Sequence, residues 1–115
     1  MPAVMIVQLP VTVAYGTDEE FDLRVRLHQE LAAALEAANA GECATSEIDT
    51  AHIKFHLQGF PNPKASLNIV KDILNRAGLL SRAVVLLETR NQLDPDDHNW
   101  QVLWPQSPSG IVKSA

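Results

Sequence analysis

A chain of 115 residues that is 46% hydrophobic and 20% charged has the size for one packed core and too much apolar content to be disordered over most of its length. Nine basic against 14 acidic residues, a formal net charge of −5, leave no basic stripe for nucleic acid or an anionic membrane, so a protein or small-molecule partner is expected. The lone Cys43 allows no internal disulfide, no apolar run nears the roughly 20 residues of a membrane span, and the Met-Pro-Ala-Val start lacks a leader's pattern. These features predict a soluble, cytoplasmic single domain over residues 1–106, with a poorly ordered tail over 107–115.

In chain order, residues 4–15 alternate Met5, Val7, Leu9, Val11, Val13 and Tyr15 against Ile6, Gln8, Pro10, Thr12 and Ala14. That is a strand, broken near Pro10 by an edge position or a bulge, because proline donates nothing to a ladder. Thr17 and Glu20 have the spacing of a capping box, and acidic Asp18 and Glu19 suit the positive end of a helix. A helix is therefore predicted to about Ala40, ended by Gly41, with Phe21, Val25, His28, Ala32 and Leu35 as its buried stripe. Residues 42–58 hold two short strands turning at Asp49 and Thr50, and the second alternates Ile53, Phe55 and Leu57 with His52, Lys54 and His56.

Gly59 and Pro61 close that strand. Asn62-Pro63 then opens a second helix with Leu67, Val70, Ile73, Leu74 and Ala77 in one arc, and Gly78 ends it. Residues 83–89 form a strand apolar on both sides, as in the middle of a sheet. A polar connection over 91–97 leads to a last short strand from Trp100 to Trp104.

The predicted order is strand, helix, strand, strand, helix, strand and one further strand. Two helices on one face of a mostly antiparallel sheet of four to five strands bury both helix stripes, which makes this an α+β domain. The element order resembles the ferredoxin-like sandwich over residues 4–104. The run Gly41-Glu42, Glu47-Ile48-Asp49 and Ile53-Lys54-Phe55-His56-Leu57-Gln58-Gly59 looks like small uncharacterised bacterial proteins of that fold. The fold carries many activities, so the resemblance implies no function. One core is expected to join Leu67, Val70, Ile73, Leu74, Phe21, Val25, Leu35, Ile53, Phe55, Val85 and Leu87.

The chemistry-bearing residues are few. His52 and His56 share a strand face, but four strand residues separate them by roughly 13 Å, too far to share a metal ion. Asp94, Asp96, Asp97 and His98 lack the spacing of a calcium loop and read as an acidic turn. Cys43 has no Cys-x-x-Cys partner. No cofactor and no metal are expected.

Arg24 and His28 fall within the apolar stripe of the first helix, so they either line a pocket or are paired at the core edge. Alternation places Val84 and Leu86 on the side of the sheet opposite Val85 and Leu87, together with His52, Lys54 and His56. Trp100, Val102 and Trp104 share one face of the last strand. That apolar patch with an aromatic margin points to a non-catalytic module that pairs with a second copy or another protein. A small-ligand regulatory domain, or an enzyme using the histidines, is the alternative reading.

Overall fold

The computed structural model describes residues 3–91 and 94–105; the tail expected over 107–115 lies outside them. The elements are β1 (Ala3–Pro10), α1 (Asp18–Ala37), β2 (Glu42–Ile48), β3 (His52–Gln58), α2 (Pro63–Arg76), a 3-10 turn at Leu80–Arg82, β4 (Val84–Asn91) and β5 (Asp94–Trp104). The five strands form one antiparallel sheet in the order β2-β3-β1-β4-β5. Both helices pack on the side that carries Met5, Val7, Leu9, Ile53, Phe55, Leu57 and Val85. The protein is thus an α+β fold, and none of its described helices is long and apolar enough to cross a membrane.

β1 is central rather than an edge, and it ends where Pro10 stands. Its pairing with β4 stops at Gln8 opposite Val84, so the missing N–H at Pro10 faces no β4 partner. Val11, Val13 and Tyr15 continue no ladder. Val11 N–H and Tyr15 N–H donate to the carbonyls of Ala51 and Asp49, and Tyr15 takes a positive φ of 61° to turn the chain into α1. The capping box is present: Thr17 accepts from the Glu20 N–H at 3.1 Å, and the Glu20 carboxylate accepts from the Thr17 N–H at 2.9 Å. The latter bond holds the Glu20 pKa below its ordinary value.

α1 is rotated by about a quarter turn from the predicted stripe. Leu27, Leu31 and Leu35 are buried, whereas Phe21 and Val25 are 52% and 36% exposed. The leucines follow i, i+4, i+8 along the helix and reach the sheet, while Phe21 and Val25 lie to one side. The helix stops at Ala37. Asn39, not Gly41, takes the left-handed position at φ 52°, and the N–H groups of Asn39 and Ala40 bond back to Glu36 and Leu35. α2 matches its prediction closely: Asn62 caps Lys64 N–H at 3.0 Å, Pro63 opens the helix, and Gly78 closes it at φ 74°.

The β2–β3 turn rests on one carboxylate. Asp49 Oδ1 accepts from the N–H groups of Ala51 and His52 at 2.8 and 2.7 Å, and Oδ2 pairs with Lys54 Nζ at 3.1 Å. The two backbone bonds, and then the Lys54 ammonium, hold the Asp49 pKa at about 2. A pKa below that of the unfolded chain stabilises the fold above roughly pH 4 and ceases to do so as pH falls toward the folded value. The melting temperatures of wild type and Asp49→Asn should therefore differ by a constant amount at neutral pH and converge as pH approaches 2. Curves that stay parallel in acid would contradict this role.

On the far side of the sheet, β4 and β5 form a long hairpin that replaces the polar connection expected over 91–97. Asp94, Asp96, Asp97 and His98 lie on β5 rather than in a turn, because pairing with Arg90 and Asn91 carries the ladder outward. The register shifts between Val85–Trp104 and Leu86–Val102, leaving Leu103 as an inserted residue. Leu87 is half-buried and stands outside the main core cluster.

Candidate functional site

The side of the sheet opposite the helices is the surface that the sequence singled out. Register places its residues in rows across the strands. One row runs Thr45, His56, Ile6, Leu86, Val102; the next runs Val4, Glu88, Trp100; and on the other side lie Glu47, Lys54, Gln8, Val84. The face is divided by chemistry. Its β1–β4–β5 half is mostly apolar, with Gln8 and a buried Glu88 as its polar members, and ends in the exposed Val102 and Trp100, at 45% and 51%. Its β3 half is basic, with His52, Lys54 and His56 half-buried there.

Of the residues predicted for this face, His52, Lys54, His56, Val84, Leu86 and Trp100 share it by register. Trp104 does not. The inserted Leu103 reverses the alternation, so Trp104 pairs with core-facing Val85 and its indole N–H donates to the Leu80 carbonyl at 3.0 Å on the helix side. A bulge is invisible to a strict two-residue period, which is why the sequence put both tryptophans together. Two residues with no place in the prediction complete the patch: Ile6, 8% exposed although it faces away from the helices, and Val4 beside it. The alternation of Ile6 with Met5 and Val7 was legible, but Pro10 pointed to an edge position or a bulge, so the central place of β1 was not read from it.

The basic half has acidic neighbours. Lys54 is tied to Asp49, and His56 Nε2 lies 3.9 Å from Glu47 Oε2. Among the described residues no three His, Cys, Asp or Glu side chains converge in a way that could hold a metal ion.

Arg24 and His28 meet at a different place, the edge where α1 lies on β2. Arg24 Nη1 donates to Ser46 Oγ at 2.7 Å, and His28 Nδ1 lies 2.8 Å from the same oxygen. One hydroxyl can accept from the guanidinium while exchanging its own hydrogen bond with the imidazole. The Arg24 guanidinium also stacks 5.0 Å from the Phe21 ring, which keeps that exposed aromatic partly covered. These contacts tie helix to edge strand, the core-edge pairing that was one of the two sequence readings. Ser46 was missed because a lone serine on a short strand carries no signal until α1 is placed beside it. Cys43 is 7% exposed, and burial pushes its thiol up to about 11, which keeps it protonated and a poor nucleophile at neutral pH.

Comparison with family models, with curated proteins and with solved structures found no match for the chain.

Proposed function

We propose that the protein is a non-catalytic, self-associating module whose open sheet faces pack together about a two-fold axis. The observation that carries this reading is the apolar row Ile6, Leu86, Val102 with Val4, Val84 and Trp100 around it, on the sheet face that neither α1 nor α2 covers. A solvated antiparallel face carries polar residues throughout, whereas the polar residues here lie mainly on β2 and β3, with Gln8 and Glu88 the polar members on β1 and β4. Its area suits a second copy. Five strands of 7 to 11 residues at about 4.8 Å separation and roughly 3.3 Å per residue span about 600 Å². Two such faces reach about 1,200 Å², the lower bound of specific interfaces. An isologous contact can lay the exposed Val102 and Trp100 of one copy against the same face of the other.

The ferredoxin-like reading is part of this proposal. It is supported by the order β-α-β-β-α-β and by β1 lying between β3 and β4, with β5 added outside β4. A cytoplasmic setting is supported by the single buried cysteine, which suits a reducing compartment.

Sedimentation equilibrium over the micromolar range tests the proposal. The wild type should show a concentration-dependent mass between monomer and dimer, and Leu86→Lys and Val102→Lys should stay monomeric. Val102 is already exposed, so its lysine variant should keep the wild-type melting temperature of the monomer. A wild type that is monomeric throughout, or dimers that persist in both variants, would overturn it.

A further inference from the structure

The helix side of the sheet is wider than the helices that cover it. β5 lies beyond α2, and the inserted Leu103 joins Trp104 in facing α2 and packing against the core. Between α2 and the β4–β5 hairpin runs a groove of about 540 Å³, inside the roughly 300–1,000 Å³ of ordinary ligand sites. Leu67, Leu87 and Leu103 line its apolar part, and Lys64, Asn68 and Lys71 stand along it on α2 at i, i+4 and i+7. Among the described residues no carboxylate lines the groove, in a chain where acids outnumber bases 14 to 9.

Lys64 is exposed and has no carboxylate partner among the described residues. The Lys71 ammonium is held 4.4 Å over the Trp104 ring, and that ring is fixed by its hydrogen bond to Leu80. The groove therefore pairs an apolar wall with two ammonium groups and an amide, a pattern that matches a ligand with an anionic head and an apolar body.

We propose that this groove binds a soluble amphiphilic anion, a single carboxylate or phosphate on an unbranched apolar chain. The head lies among Lys64, Asn68 and Lys71, and the chain lies along Leu67, Leu87 and Leu103. A free anion is favoured over a headgroup in a membrane because the chain as a whole carries −5, which repels an anionic bilayer. The groove opens on the helix side of the sheet and shares only Val102, at its rim, with the proposed dimer face.

Amide chemical shifts of the full chain, titrated with decanoate, decyl phosphate and uncharged decanol, provide the test. The two anions should cause saturable shifts in 62–71 and 101–103, with decanol at least about tenfold weaker, the size expected for losing one charge-assisted contact. Lys64→Gln/Lys71→Gln should weaken decanoate about tenfold and leave decanol unchanged. The single Lys64→Gln, at an exposed position, gives a smaller change in the same sense should the double variant fold poorly. The proposal is overturned if those amides do not respond, if decanol binds as tightly as decanoate, if the lysine variants bind unchanged, or if only vesicles containing phosphatidylglycerol are bound.

Discussion

Phe55→Ala should cost about 3–5 kcal/mol, the range for emptying an aromatic site in a packed core and a large share of the roughly 5–15 kcal/mol that holds an ordinary domain together. Phe55 is 0% exposed in the middle of β3, between β1 and β2, with Val7 as its β1 partner and Ser46 as its β2 partner. Removing the ring leaves a cavity against Leu, Met and Ile side chains that strands on both sides prevent from collapsing. Phe21→Ala is the internal comparison. That ring is half-exposed and touches the Arg24 guanidinium, so its loss should cost less than about 1 kcal/mol. Denaturant unfolding of the two variants reads the difference directly. Equal costs would mean that α1 presents Phe21 to the core and that the observed helix register is wrong.

Gly41→Ala should be the most damaging glycine substitution. Gly41 links the end of α1 to β2 at φ 133°, a region that L-residues scarcely enter, and a Cβ there would meet the Gln58 carbonyl oxygen at 2.9 Å and Phe60 Cβ at 3.2 Å. Backbone strain alone costs about 1–3 kcal/mol, and relieving the contact requires α1 to move away from the end of β3. Gly59 separates the two effects, because at φ 69° it is strained by a side chain but has nothing within 4 Å of the added Cβ. Thermal unfolding should rank Gly41→Ala well below Gly59→Ala. Equal melting temperatures would show that the Gly41 backbone relaxes freely.

What the sequence made legible depended on the strength of local chemistry. α2 has a cap, an N1 proline, a clean apolar arc and a C-terminal glycine, and its range and buried face follow from them. Asp49 gave the β2–β3 turn for the same reason. α1 was harder because its second half is rich in alanine, which contrasts weakly with either side. Phe21 and Val25 then drew the expected stripe toward themselves, so that of the buried leucines only Leu35 fell within it and Leu27 and Leu31 did not. The inserted Leu103 is set by the packing of β5 on β4, not by any residue type, so Trp104 could not be assigned to its side beforehand. The β3 and β4 members of the open face were readable from alternation, while the meeting of Arg24, His28 and Ser46 required two elements far apart in sequence to be placed together.

The claim that the open sheet face is a self-contact is tested most directly by isotope-filtered nuclear Overhauser spectroscopy on a millimolar mixture of labelled and unlabelled protein. The account predicts intermolecular contacts from the methyl groups of Ile6, Leu86 and Val102 and from the Trp100 ring to the same face of the second copy, with none from Leu31 or Val70 in the core. Contacts confined to Phe21, Val25 and the β2 edge, or no intermolecular contacts at all, would contradict it.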